Sequence, residues 1–343
     1  MTSSLVIAPQ WIGDAVMTEP LLRRLAGRGE RITVGALPWV APVYRAMPDV
    51  AEVLEFPFAH GGVQWTARRA MARQLHGRFD VAYVCPNSFK SALLPWWAGI
   101  PVRIGYTGEL RLGLLTQRLP NPPRYQRPPM VGHYGALSGE ALATSDRPRL
   151  RVSVPGSEQA LAALGLAAQR FYVFSPGAEY GPAKRWPGSH FADLAASLPL
   201  PVVLLGSAKE SALCADIAQR ANAIHAKAEH GKINHAGHCI DLSGRTSLEQ
   251  ALSVIAHAKA MVSNDSGLMH VAAAFDVPQI ALFGSSSPLH TPPLSQRSTV
   301  IWLRDDPAYR PVLDCAPCFA RVCPLGHTRC LNDIAPERVR TLL

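Results

Sequence analysis

Residues 4–25, SLVIAPQWIGDAVMTEPLLRRL, set an apolar run, a polar bend and a helical pattern end to end. Ser4–Ala8 reads as a short buried strand and Ala15–Leu25 as the helix after it. One carboxylate, Asp14, stands in the bend directly after Gly13. Taken alone it reads as a helix N-cap, accepting hydrogen bonds from the orphan N–H groups of the first turn. The rest of the chain decides whether it does more.

The strand–helix unit recurs. Arg31–Ala36, Ala51–Glu55, Asp80–Val84 and Val102–Gly105 read as further apolar strands, with helical periodicity between them, as over Gln64–His76. Such alternation implies right-handed βαβ units and a parallel sheet. Five prolines between Pro120 and Pro129, in RLPNPPRYQRPPMVGH, then exclude regular structure. A helical stretch follows around Val131–Ala143. A second series begins at Phe171–Phe174 and continues through Pro201–Leu205, Cys239–Leu242, Ala260–Ser263 and Gln279–Phe283, with Leu248–His257 helical. The fold class expected is α/β, with two Rossmann-like domains, 1–165 and 166–343, and an irregular tail from Asp305. Open α/β sheets bind ligands beyond the carboxyl ends of their strands. The site is therefore expected in the cleft between the domains, with Asp14 on one wall.

Bulk properties narrow the class. A chain of 343 residues exceeds one ordinary core. With 48% hydrophobic and 17% charged residues it is globular rather than disordered. No apolar run reaches the roughly 18 residues of a membrane span. Met1-Thr2-Ser3-Ser4 lacks the basic and apolar regions of a signal peptide, so the cytoplasm is the expected compartment. The net charge of +9 favours anionic partners, a merely soluble basic surface being the plainer reading. No RNP-like, zinc-finger or homeodomain pattern accompanies it, so nucleic acid is not the expected partner.

Two segments carry chemistry. In AMVSNDSGLMHVAAAFDVPQIALFGSSSP (260–288) a strand turns through Asn264-Asp265-Ser266-Gly267 into a helix starting near Leu268. The amides of Ser266, Gly267, Leu268 and Met269 there form an anion site, and Gly267 lets a phosphate approach closely. In YVFSPGAEYGPAKRWPGSHFADLA (172–195) Lys184 and Arg185 follow another strand's carboxyl end, before a helix expected to be capped by Ser189. A point charge beside a guanidinium fork suits a diphosphate. An Asp/Ser cap and a solvated loop are the respective plain readings.

Together IGDAVMTEPLL, SPGAEYGPAKRWP, SNDSGLMHVAAA and IALFGSSSP resemble the ADP-heptose–lipopolysaccharide heptosyltransferases. GPAKRWP and NSFKSALLPWWAGIPVRIGYTGELR (87–111) are similar to the branch that adds the second inner-core heptose. The resemblance covers nearly the whole chain. It implies a GT-B fold, with the acceptor on the N-terminal half and the donor on the C-terminal half. It implies inverting, metal-independent transfer of L-glycero-D-manno-heptose from ADP-heptose to the first heptose of a heptosyl-Kdo2-lipid A type acceptor, at the cytoplasmic face of the inner membrane. Asp14 takes the role of general base, Lys184 meets charge on the leaving ADP, and Asp265 contacts heptose hydroxyls. DLSGRTSLEQA (241–251) matches the adenosine loop, with Ser243, Gly244 and Thr246 nearest the nucleoside. A helix N-terminus would hold Asp14 ionised and make it a weak base.

For an anionic acceptor the basic candidates are Lys90, Arg68, Arg69, Arg73 and Arg103, the arginine run reading equally as a solvated helix face. Trp96 and Trp97 suit peripheral membrane contact or core packing. Cys315, Cys318, Cys323 and Cys330, with His327 among them, have the spacing of a small structural zinc site or of reduced thiols packing the tail. Rival readings are the first or a later core heptosyltransferase, a GT-B-type sugar-nucleotide epimerase, and a non-catalytic lipopolysaccharide-binding protein.

Overall fold

The computed structural model describes residues 1–343 except 59–61, 124–127, 141, 142, 144 and 229–237. Part of the proline-rich stretch lies outside the described residues, and the helix expected over Val131–Ala143 is shorter: it spans Met130–Gly135, with a 3₁₀ turn to Ser138 before Gly139 at φ +85. The chain divides into two compact units, Met1–Arg151 and Val152–Leu343.

Six strands build the first unit: β1 (Ser3–Ile7), β2 (Arg31–Ala36), β3 (Glu52–Glu55), β4 (Val81–Val84), β5 (Val102–Tyr106) and β6 (Gln117–Leu119). All pair in parallel in the order β3-β2-β1-β4-β5-β6. Leu5 and Val6 of the central β1 point to opposite faces and are both fully buried. A strand covered on both faces reads as an unbroken apolar run, which is why β1 was legible. The helices are α1 (Ile12–Met17), α2 (Glu19–Gly27), α3 (Ala41–Arg45), α4 (Trp65–Leu75), α5 (Phe89–Trp97) and α6 (Met130–Gly135). The single helix expected over Ala15–Leu25 is two, parted at Thr18. Pro20 lies in the first turn of α2, where its missing N–H costs nothing; inside one continuous helix it would break the ladder.

The second unit runs α7 (Val154–Ala163), β7 (Tyr172–Ser175), α8 (Gly188–Ser197), β8 (Val202–Leu204), α9 (Ser211–Ala228), β9 (Cys239–Asp241), α10 (Leu248–Ala256), β10 (Ala260–Asn264), α11 (Gly267–Ala274), β11 (Gln279–Phe283), β12 (Ser298–Trp302), α12 (Arg329–Asn332) and α13 (Pro336–Arg340). Its parallel sheet is ordered β12-β11-β10-β7-β8-β9. Counted from its own first strand, this repeats the order of the first sheet. The join between units falls before α7 and not at 165/166: Ser157 of α7 meets Ser253 of α10, Oγ to Oγ at 3.5 Å. Nor is the tail irregular throughout. Leu331, Ile334 and Val339 are buried in the second core, and Trp186 Nε1 donates to the Ile334 carbonyl at 2.9 Å.

Each sheet reverses direction beside its first strand, between β1 and β4 in one unit and between β7 and β10 in the other. Crevices at such switch points are where doubly wound sheets hold ligands. Asp14 and Lys90 lie in the first turns of α1 and α5, which follow β1 and β4; Lys184 and Asp265 lie in the segments after β7 and β10.

Candidate functional site

Asp14 is the third residue of α1, and the N-cap position belongs to Trp11, so the capping reading fails. The Asp14 carboxylate instead accepts the Tyr134 hydroxyl of α6 at 2.9 Å. Burial raises the Asp14 carboxyl above its ordinary range, and the Tyr134 hydrogen bond opposes this only in part. The expectation of a lowered pKa is therefore corrected. Asp14 lies among the buried Tyr44, Cys85 and Tyr134, and desolvation there is the largest influence on its carboxyl. A carboxylate so placed is a stronger base than an exposed one.

The basic candidates of the first unit separate into two kinds. Arg68 is buried: its Nε donates to the Val63 carbonyl at 2.7 Å and its guanidinium lies 4.1 Å from the Phe58 ring centre. Arg103 donates to the carbonyls of Leu114, Ile100 and Pro101. Both hold local backbone together, which corrects their assignment to the acceptor. Arg69 and Arg73 are exposed on α4, and Arg69 sits 5.2 Å from the Trp97 ring. Trp96 is 45% exposed, while Trp97 is half-buried against the first core. Lys90 is half-buried at the second position of α5. Sequence reasoning missed Arg111, which is buried and fixes the loop before Lys90 by donating to Pro86 O and Asn87 Oδ1, each at 2.8 Å.

In the second unit Asn264, fully buried at the end of β10, organises the loop after β7. Its Oδ1 accepts the Trp186 N–H at 2.9 Å and its Nδ2 donates to Pro176 O at 2.7 Å. Trp186 is anchored in the core, and Ser189 lies inside α8 rather than capping it. The stapled loop delivers Lys184 Nζ to Asp265 Oδ2 as an ion pair. One turn on, His270 is held neutral, pushed down to about 4 by burial and by the Lys184 charge against the pull of Asp265. Ser266 caps α11 in position, with Gly267, Leu268 and Met269 forming the helix's first turn. Arg185 turns back on its own loop, donating to Ala178 O at 3.3 Å.

Four hydroxyls here, Ser263, Ser266, Ser285 and Ser286, are buried and have no hydrogen-bond partner among the described residues. Ser263 lies within β10, whereas Ser266, Ser285 and Ser286 stand at the ends of β10 and β11, where the strands give way to loop. Ser285 and Ser286 were missed as individual residues, although the G-S-S-S run after β11 was their signal. Ser243 bonds Asp241 Oδ1 through both its N–H (2.9 Å) and its hydroxyl (2.6 Å). Gly244 has φ +67, and a Cβ there would stand 2.9 Å from Ala208 Cα, so the loop after β9 packs on the loop after β8. Thr246 lies on that same loop, immediately before the Ser247 cap of α10.

Two Rossmann-like sheets, one followed by a helix bearing a raised carboxylate and the other by a helix starting at Gly267 beside a Lys–Asp ion pair, fit the frame of a GT-B glycosyltransferase. Comparison gives the family: residues 68–328 match the model of glycosyltransferase family 9 (heptosyltransferase), and the chain belongs to that family. It is 41% identical to lipopolysaccharide heptosyltransferase 2 of Salmonella typhimurium, over 98% of this chain and 95% of that one. It is 40% identical to lipopolysaccharide heptosyltransferase 2 of Escherichia coli K12, with the same coverage. The solved structure of E. coli ADP-heptose lipopolysaccharide heptosyltransferase II matches with a TM-score of 0.81 and 38% identity, covering 99% of this chain and 97% of that one. The chain is thus a transferase of GT-B fold, as the sequence motifs implied.

Proposed function

We propose that this chain transfers L-glycero-D-manno-heptose from ADP-heptose to the first heptose of a heptosyl-Kdo2-lipid A type acceptor, with inversion. The observation that carries this reading is the near-full-length likeness to heptosyltransferases 2, with Asp14, Lys90, Lys184 and Asp265 all following strands that flank a switch point.

In this reading Asp14 accepts the proton of the acceptor hydroxyl as that oxygen bonds to the anomeric carbon. The bond from that carbon to the β-phosphate oxygen breaks, and ADP leaves with the electron pair. An inverting displacement needs this one carboxylate on the face opposite the leaving group. Lys184 and the amides from Ser266 to Met269 meet the charge growing on ADP. Freed from Lys184 as the cation turns to phosphate, Asp265 takes heptose hydroxyls. Arg185 and the unpartnered serine hydroxyls complete the diphosphate contacts, and Ser243, Gly244 and Thr246 hold the nucleoside. No divalent cation is assigned to the transfer, so EDTA is expected not to abolish it.

Lys90, Arg69 and Arg73 serve the anionic acceptor. Trp65, 51% exposed, packs 5.5 Å from Trp97, and with Trp96 and Arg69 it gives an aromatic and basic surface suited to peripheral contact with the cytoplasmic face of an anionic membrane. No helix among the described residues is long and apolar enough to cross one. The deciding assay offers ADP-heptose with core glycolipids carrying zero, one or two heptoses. Extension of the one-heptose acceptor alone is expected. Preferred extension of the heptose-free acceptor would overturn the reading.

A further inference from the structure

The tail from Cys315 to Cys330 has no part in the chemistry above, yet it is joined to it. Ala183 N–H donates to Arg321 O at 3.0 Å, and Tyr180 Oη donates to Phe319 O at 2.9 Å. Phe319 N–H donates to Ser285 O at 2.7 Å. Gly181, at φ +155, lies so close to the Arg321 carbonyl that any Cβ would collide with it. The segment between Cys318 and Cys323 is therefore sewn to both loops of the anion site, the one ending in Lys184 and the one carrying Ser285.

Behind those contacts lies a cavity of about 20 Å³, lined by Cys315, Cys318, Cys323 and Cys330 together with Ala183 and Ser285. That volume admits one atom-sized occupant. Four sulfurs are poor partners for a water, which needs two to four good donors or acceptors. They are the preferred partners of a thiophilic cation. The sequence pattern, C-x-x-C followed by C-x6-C, supplies four such ligands from one short segment. His327 lines the same cavity, its Nδ1 accepting the Arg329 N–H at 3.1 Å; four cysteines by themselves make a tetrahedral set. Among the described residues no three such groups already stand at ligating positions around one point. Binding must therefore draw the four sulfurs inward, tightening the loop between them.

We propose that Cys315, Cys318, Cys323 and Cys330 bind one divalent thiophilic cation, zinc by the chemistry of the donor set, and that the loaded knuckle fixes the Tyr180–Lys184 turn. The four thiols lose four protons on binding, so a dication becomes a site of net charge −2 and releases protons to buffer. The metal site stands independently of the proposed transfer reaction; only its consequence for Lys184 rests on that reading. The site is structural, remote from any reacting atom, and supplies positioning alone.

The test uses the full chain, free of any affinity tag and purified without chelator. Elemental analysis should find about one zinc per chain, or iron in its place, since both take four thiolates. Cys318→Ser with Cys330→Ser should lower that content about tenfold, whereas His327→Ala should keep it. Should the double variant fail to fold, cobalt exchanged into the unaltered chain gives the second measure. The sulfur-to-cobalt charge-transfer band and tetrahedral ligand-field bands are then expected. Stripping the metal should speed amide exchange across 180–187 and leave β1 and β4 unchanged. Metal below roughly a tenth of an equivalent after incubation with zinc, or four cysteines recovered as two disulfides, would overturn the site. Unchanged exchange across 180–187 would overturn the bracing.

Discussion

Tyr134 and Asp14, 120 residues apart in sequence, meet at 2.9 Å through a hydroxyl donated to a carboxylate. Burial raises the Asp14 carboxyl and this bond lowers it, so the two set its basicity in opposition. Asp14 must be ionised to take a proton, so transfer falls as pH drops through its pKa. Removing the hydroxyl in Tyr134→Phe removes a contact that favours the carboxylate. The acid limb of the rate profile should therefore move to higher pH. Asp14→Asn should lower turnover about 10²–10⁴-fold while ADP-heptose binding stays within a few-fold. An acid limb that stays in place, or near-normal transfer by Asp14→Asn, would remove this carboxylate from the mechanism.

Lys184 and Asp265 form an ion pair in which Asp265 is nearly buried, so neither side chain can be deleted without exposing the other's role. Lys184→Ala should cost about 3 kcal/mol of transition-state stabilisation, seen mainly in turnover. It should also lower the unfolding midpoint, because the buried Asp265 carboxylate loses its cation. Adding Asp265→Asn to Lys184→Ala should restore much of that stability and none of the turnover. Steady-state kinetics with both substrates varied, beside urea titrations of the unaltered chain and both variants, separate the effects. Restored turnover in the double variant would show that Lys184 acts only by neutralising Asp265.

The basic residues of the first unit divide by what they touch. Lys90→Ala and Arg69→Ala should raise the KM for the acceptor with turnover largely kept, since their proposed contact is charged throughout the reaction. That effect should shrink as salt rises, because screening weakens the unaltered contact first. Arg68→Ala and Arg103→Ala should leave that salt dependence alone. Their cost belongs to folding, through lost hydrogen bonds to Val63, Leu114 and Ile100. An acceptor KM that moves for Arg68→Ala at unchanged melting temperature would return Arg68 to the acceptor site.

Strands were legible where apolar residues cluster, most plainly in β1 and β11 and even in the edge strands β3 and β9. The edge strands β6, which is exposed and polar, and β12, whose Thr299 and Val300 are exposed, were missed. Motif spacing located Asp14, Lys184 and Asp265, but not their partners. Tyr134 reaches Asp14, and Asn264 grips Trp186, only through the tertiary fold. The direction of the Asp14 shift was misread for the same reason: a helix start is local and visible in sequence, whereas desolvation by Tyr44, Cys85 and Tyr134 is not. Arg68 and Arg103 looked like surface charges because nothing in a sequence tells a guanidinium facing carbonyls from one facing solvent.

Glu19, the first residue of α2, is 2% exposed and outside the chemistry, and it offers a separate test of the fold. Its carboxylate holds Arg23 at 3.2 Å and accepts the Arg149 N–H at 3.0 Å, tying the end of the first unit back to α2. Burial nevertheless raises its pKa from 4.5 to about 7, against the pull of Arg23. A raised folded-state pKa means that the folded chain keeps this proton while the unfolded chain has lost it. The stabilisation is complete below 4.5, declines as pH rises towards 7 and is gone above that. At 1.36 kcal/mol per pKa unit, the decline amounts to about 3 kcal/mol. Glu19→Gln keeps an acceptor for the Arg149 N–H and cannot ionise, so its stability should be flatter across that window. Urea unfolding of both chains at several pH values gives the difference directly, with other carboxylates cancelling. The variant's advantage should grow from pH 4.5 to about 7 and then level off. A difference that is constant with pH would show that Glu19 titrates alike in the folded and unfolded chains.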